Sequence, residues 1–167
     1  MASLDLDLFR SCKRNRRKPD DIATSHASDS GAGTLYPDYE GFIRKDNSFR
    51  EPDVTTFTRN HETWIRGVDD VNPSNGRSFV KASEGVSLSN AAGKFGYGLW
   101  YYFLLPKGTE VPAGLDVVQT GSDKSHYSIR CRNAMTKTAY QGALDNMARS
   151  AIAQSVEQKR SSLYFKE

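Results

Sequence analysis

The sequence predicts an α+β domain in which a series of short strands is followed by one long C-terminal helix. Three observations predict it. Several short segments alternate or concentrate apolar residues between glycine, proline and asparagine clusters, which is the signature of strands. The segment from Thr136 onward carries an apolar stripe at helical spacing. No strand–helix–strand alternation runs through the chain, which excludes a doubly wound parallel sheet.

Leu4-Asp5-Leu6-Asp7-Leu8-Phe9-Arg10 alternates apolar and polar positions, the period of a half-buried strand, and ends on an arginine. From about residue 11 to residue 33 the chain is rich in Lys, Arg, Ser, Asp and Gly with almost no apolar residue. Such a stretch cannot bury enough surface to order itself and reads as a mobile basic loop. Its run Lys13, Arg14, Arg16, Arg17 and Lys18 exceeds the net charge of +3 of the whole chain. Clustered cations attract polyanions such as nucleic acid, an acidic protein or anionic lipid, or simply form a solvated loop, and the residues leave both open.

Between Tyr36 and Arg66 the apolar residues Phe42, Ile43, Phe49, Val54, Phe57, Trp64 and Ile65 fit neither one helix nor one strand, so short elements around Pro37 and Pro52 are expected. Asn72-Pro73-Ser74-Asn75-Gly76 reads as a turn and Ser78-Phe79-Val80 as a strand after it. In Glu84 to Asn90, Ser87 and Ser89 are two apart and share one face if the segment is extended. Gly93, Gly96 and Gly98 then lead to Leu99-Trp100-Tyr101-Tyr102-Phe103-Leu104-Leu105, a central strand ended by Pro106. Its aromatic residues are core candidates.

Leu115 to Gln119 and His126 to Cys131 form a hairpin about the turn Gly121-Ser122-Asp123-Lys124. Ala139, Tyr140, Ala143, Leu144, Met147, Ala151, Ile152 and Val156 then recur at three and four, and Lys159 and Arg160 suit the C-terminal end of that helix. Asp145 and Asn146 fall beside the stripe, in position to hold a neighbouring loop or strand.

A length of 167 residues fits a single domain, 1–167, with a core that needs no disulfide or metal. Cys12 and Cys131 form no framework and lack zinc spacing, which points to a reducing compartment and leaves their pairing open. No signal-like segment and no run approaching the roughly 20 apolar residues of a membrane helix occurs, so the expectation is a cytoplasmic protein without a cleaved signal. Neither GxGxxG nor a phosphate loop is present, and His26, His61 and His126 show no metal-ligand spacing. Rossmann enzymes, P-loop kinases and zinc hydrolases are thereby disfavoured.

Lys107-Gly108-Thr109-Glu110-Val111-Pro112, Leu115, Gln119, His126-Tyr127-Ser128-Ile129 and Leu144-Asp145-Asn146 stand in a fixed order along the chain. In order and approximate spacing they resemble a small bacterial cytotoxin family delivered by the type VI secretion system, with an ADP-ribosyltransferase-like fold. Leu8-Phe9-Arg10 resembles that family's Leu-Tyr-Arg on the first strand, and Gly85-Val86-Ser87 its Gly-Thr-Ser, with Val86 in place of the threonine. The likeness covers the first strand and roughly residues 75–155. It implies two small, mostly antiparallel sheets around a cleft that takes NAD as substrate, with transfer of ADP-ribose to an unidentified cytosolic target. It also implies a neutralising immunity protein in a producer.

Under that resemblance, Arg10, Ser87, Ser89 and Tyr127 are the expected NAD-binding residues, with the planar guanidinium suited to a pyrophosphate. His126, Gln119 and Ser87 are the expected catalytic residues. Breaking the nicotinamide–ribose bond passes through an oxocarbenium-like state that needs negative or acceptor groups beside the sugar. A histidine, with an ordinary pKa of about 6.5, can take the proton of the attacking group. ADP-ribosyltransferases usually place a glutamate on a later strand, and no Glu-x-Glu or Gln-x-Glu occurs; Asp116 ranks below Gln119 and His126. Two other functions compete: a non-catalytic binding module of the same fold that blocks a partner, and an RNA-binding protein whose basic run grips phosphates.

Overall fold

The computed structural model describes residues 2–13, 31–70 and 84–165. The turn expected at Asn72–Gly76, the strand at Ser78–Val80, and the basic loop from residue 14 to residue 30 lie outside them. In chain order the strands are β1 (Leu8–Lys13), β2 (Phe42–Ile43), β3 (Phe49–Arg50), β4 (Thr56–Arg59), β5 (Glu62–Ile65), β6 (Val86–Ser89), β7 (Trp100–Leu105), β8 (Leu115–Gln119), β9 (His126–Cys131), β10 (Met135–Thr136) and β11 (Leu163–Tyr164), with one helix, α1 (Lys137–Glu157), between the last two. A six-stranded sheet runs in the order β11-β7-β1-β6-β9-β8, a three-stranded sheet in the order β10-β5-β4, and β2 pairs with β3 alone. The pairings are antiparallel. The α+β class and the long helix near the C-terminus, the one helix among the described residues, match the sequence expectation.

The main sheet is covered on both faces at its centre because β7 is apolar at every position. Phe103 and Leu105 join Leu8, Val86, Leu88, Ile129 and Cys131 in one core with α1, while Tyr102 and Leu104 pack with Phe9 on the opposite face. Tyr102 completes its buried hydroxyl by accepting from Phe95 N and donating to Gly96 O. Tyr101 and Tyr102 are core residues, as their dense aromatic setting suggests.

The first strand corrects the sequence reading at both ends. Alternation predicts Leu4 to Arg10, yet β1 spans Leu8–Lys13. In register, Leu8 faces Leu105, so the next partner in β7 would be Pro106, which has no N–H to give and stops the ladder. Leu4 is still buried, but its N–H donates to Thr109 O in a separate contact. At the other end Ser11, Cys12 and Lys13 pair with Tyr102, Tyr101 and Trp100 and belong to the sheet rather than to a loop. A long apolar partner strand recruited residues whose own composition gave no strand signal.

Thr136 caps α1 by accepting from Ala139 N at 3.1 Å. The buried face is Tyr140, Leu144, Met147, Ala148, Ala151 and Ser155. Val156, read as part of the stripe, is 71% exposed because it lies one position off that face. Beyond the helix, Arg160 pairs with Asp7 at 2.8 Å and ties the chain end to the start of β1. The hydrogen bond from that guanidinium holds the Asp7 carboxyl below the usual carboxylate range.

Cys12 and Cys131 are both free thiols. Burial pushes the Cys12 thiol up to about 11 and the Cys131 thiol up to about 12. The folded state therefore favours the protonated form. That contribution to stability is full below the unfolded thiol value near 8.5 and is lost as pH rises through the folded values. In the native protein at neutral pH, iodoacetamide is expected to label both cysteines far more slowly than after denaturation, as read by mass spectrometry.

Candidate functional site

On β9, His126 and Ser128 face away from the core that takes Ile129 and Cys131, because side chains alternate along a strand. On β6, Ser87 and Ser89 do the same while Val86 and Leu88 enter the core. Register places Ser89 opposite His126 and Ser87 opposite Ser128. The neighbouring Thr120, just past β8, puts its hydroxyl 2.8 Å from His126 Nδ1 and 2.7 Å from Ser128 Oγ. A row of hydroxyls thus fixes the plane of the histidine ring through Nδ1.

Ser87 and His126 line one cavity of about 440 Å³. Its other walls come from the β2–β3 hairpin and the segment after it, namely Arg44, Phe49, Arg50, Glu51, Pro52 and Asp53, and from Glu84 just before β6. Arg50 pairs with Asp53 at 3.1 Å, and Asp53 also accepts from Asp38 N at 2.8 Å, which braces the hairpin against the chain before it. Thr55 donates to the Glu84 carboxylate.

Arg10 reaches this site through the backbone. β1 and β6 meet at the Phe9–Ser89 pair. Beside it the Arg10 guanidinium donates to Ser87 O at 3.0 Å and to Tyr36 O at 3.1 Å. Tyr36 in turn donates its hydroxyl to Asp145 on α1 at 2.8 Å, and Asp145 also accepts from Gly33 N at 2.9 Å. Burial and the facing Asp145 carboxylate push the Tyr36 phenol up to about 12, so it stays a donor. Asp145 thereby holds a loop, the scaffold role its place beside the stripe suggests. Arg10 also lines a second cavity of about 480 Å³ with Lys13, Thr34 and Trp100 among its walls.

A lysine at position 10 keeps the charge but loses the planar fork that spans two carbonyls. Arg10→Lys is expected to lower stability by about 1.5–3 kcal/mol, the worth of a charge-assisted hydrogen bond, seen as a lower Tm. An unchanged Tm would show that the two carbonyl bonds hold nothing together.

The remaining predicted residues lie elsewhere. Ser89 is buried and its hydroxyl accepts from Ala91 N, closing the turn after β6. Gln119 is exposed and donates to Lys124 O within the hairpin turn. Tyr127 sits on the core face, opposite to His126, beside Leu4, Leu6, Leu115 and Val117. Asp116 accepts from Arg132 at 3.1 Å. Ser87 and His126 are therefore brought together at one cavity, and Arg10 joins them from the core face of the sheet through the Ser87 carbonyl, beside a different cavity, whereas Gln119 and Tyr127 are not among them. Sequence reasoning missed Arg50, Asp53 and Glu84, which carry no motif and become neighbours of Ser87 only through the path of the chain. Among the described residues no group of His, Cys, Asp and Glu is arranged to hold a metal ion, and no helix is long and apolar enough to cross a membrane.

The first strand sends Arg10 to the backbone of the serine strand β6, and His126 stands on the next strand over; by the family it matches, the chain is an ADP-ribosyltransferase. The model of the Tse2 ADP-ribosyltransferase toxin family matches residues 6–156, and the chain belongs to that family. No curated protein matches it. Membership marks it as a toxin and implies NAD as its substrate.

Proposed function

We propose that the cavity of Ser87 and His126 is where the nicotinamide–ribose bond of NAD is broken, and that the ADP-ribose is passed to a cytosolic macromolecule whose modification stops growth. The observation that carries this is the joining of three residues from three strands: Ser87 and His126 share a cavity, and Arg10 is hydrogen-bonded to the carbonyl of Ser87. The second cavity, lined by Arg10 and Lys13, supports a pyrophosphate there, since a guanidinium fork and an ammonium both favour phosphate oxygens.

The chemistry balances without a further reactant. The C1′–N bond breaks with its electron pair going to the ring, which leaves as neutral nicotinamide, and positive charge appears on the ribose. The Ser87 hydroxyl accepts or donates to a ribose hydroxyl and orients the sugar. A nucleophilic group of the acceptor bonds to C1′ and gives its proton to His126 Nε2, while Nδ1 donates to Thr120 Oγ1. The fixed ring costs no reorganisation when the proton moves.

As a secreted effector, the protein would need a neutralising partner in its producer, and the mouth of this cavity is the surface such a partner would cover. The test is conditional expression of the parent beside Arg10→Ala, Ser87→Ala and His126→Ala, each checked for folding. Growth arrest by the parent and relief by the folded variants are expected. Variants as toxic as the parent would sink the reading.

A further inference from the structure

We propose that the β2–β3 ribbon docks the protein that receives ADP-ribose, and that this protein offers it an apolar groove with an acidic rim. The proposal rests on the reading that the Ser87–His126 cavity is the site of transfer. The ribbon pairs with no other strand among the described residues, yet its large apolar side chains face solvent: Phe42 is 51%, Ile43 71% and Phe49 58% exposed. Register puts Ile43 beside Phe49 on one face and Phe42 beside Arg50 on the other. Apolar surface is thus open on both faces, a shape that enters a groove rather than lying on a flat surface. Arg44, Phe49 and Arg50 also wall the cavity of Ser87 and His126, so a partner that takes the ribbon is brought to the cavity mouth.

Grouped exposed apolar residues with a polar surround mark protein contact sites, and here they are held rigidly. A two-stranded ribbon is only marginally stable alone in water, and this one is braced at its base and its tip. At the base, Asp38 accepts from Glu40 N at 3.1 Å and from Gly41 N at 3.0 Å, while Arg50 lies 3.9 Å from Asp38 and 3.1 Å from Asp53. Gly41, at φ +79, lets the two strands close up, since a Cβ there would stand 2.5 Å from Arg50 O. At the tip, Arg44 N donates to Ser48 O at 2.8 Å, and the Asp46 carboxylate accepts from both the N–H and the hydroxyl of Ser48. A preformed ribbon binds without the cost of ordering itself.

The charges on the ribbon select the partner. Asp46 is engaged within the turn, and Arg50 is matched by Asp38 and Asp53. Arg44 and Lys45 follow Ile43 directly and are exposed. Apolar side chains flanked by two cations complement a groove edged with carboxylates, and a basic surface would be repelled. RNA fits the ribbon less well, because stacking on a base needs an open ring. The Phe42 ring is covered by the Arg50 guanidinium at 5.6 Å, and Ile43, the most exposed of the three apolar residues, has no ring.

The test uses the whole chain, NAD labelled in its adenylate half and a cytosolic extract as the source of acceptor, comparing the parent with Ile43→Asp and Lys45→Glu. Neither residue lines the cavity, so NAD affinity, read by tryptophan fluorescence, is expected to stay within about twofold of the parent, with Tm close to the parent's. Transfer at low extract concentration is expected to fall by about tenfold or more in Ile43→Asp, the effect of losing a central contact, and to recover as the extract is raised. Lys45→Glu should lower it by about threefold, and by less at higher salt. Protease should release the label from the product and ribonuclease should not. If Ile43→Asp fails to fold, Ile43→Ser carries the same expectation. Any of four results overturns the assignment: transfer by the folded variant at the parent rate, loss of NAD affinity in step with transfer, label released by ribonuclease alone, or a parent dimer that Ile43→Asp splits in gel filtration. If Ser87→Ala and His126→Ala are inactive while Ile43→Asp is fully active, only the docking surface is misassigned; if those two transfer label as well as the parent, the cavity reading falls and this assignment with it.

Discussion

His126→Ala is expected to lower ADP-ribosyl transfer by about 10²–10⁴-fold, the usual worth of a positioned general base. The imidazole borders the cavity and its Nδ1 is engaged by Thr120, so the free nitrogen is the one available to an acceptor. Because the ring is only partly buried and its hydroxyl partner keeps Ser128, the stability cost should be about 1 kcal/mol. Rate and stability therefore separate. Single-turnover transfer and thermal melting on the same preparation check this, and a loss of rate matched by wholesale unfolding would contradict it. Thr120→Val should show a smaller fall in rate, since the ring remains but loses its orientation.

Gly85→Ala is expected to cost about 3 kcal/mol or more in stability, as a strained backbone is combined with a steric clash. A methyl group there would lie 2.5 Å from the Ile129 carbonyl oxygen and 2.9 Å from Arg130 Cγ. The carbonyl belongs to β9 and cannot swing aside without breaking the Val86–Ile129 pair. For a domain of this size, a loss of that order corresponds to a fall in Tm of roughly 6–12 °C. Activity should fall with it, since residue 85 lies two positions before Ser87, which lines the cavity. A calorimetric Tm within a degree or two of the parent would show that the segment before β6 yields easily.

Periodicity was sufficient wherever one residue face met one core. β7, β8, β9 and α1 lie close to where apolar patterning puts them, because each buries a continuous set such as Phe103, Leu105, Ile129 and Leu144. Alternation does not give the limits of β1 because its partner sets them: Pro106 ends the pairing on one side and Trp100 extends it on the other. The region from Tyr36 to Arg66 resisted reading because its strands are of two to four residues and leave Phe42, Ile43 and Phe49 exposed. Their packing follows from cross-strand partners, as in the Phe57–Trp64 pair, and not from a period.

The site was legible only in part for the same reason. Ser87 and His126 could be placed on one face by alternation once their strands were known, and resemblance drew Arg10 to them. Alternation also separates Tyr127 from His126, its chain neighbour. The turn after β8 takes Gln119 to Lys124, a local contact no spacing announces. Glu84 and Arg50 are distant in sequence and meet across a cavity, which composition does not encode.

The most direct test is transfer from NAD labelled in its adenylate half to the macromolecules of a cytosolic extract, comparing the parent with folded Ser87→Ala and His126→Ala. The parent is expected to leave label covalently attached to an acceptor and to release nicotinamide in equal amount, with both variants reduced by about a hundredfold or more. Label transferred equally well by both variants, or none transferred by the parent, would contradict a transferase centred on Ser87 and His126.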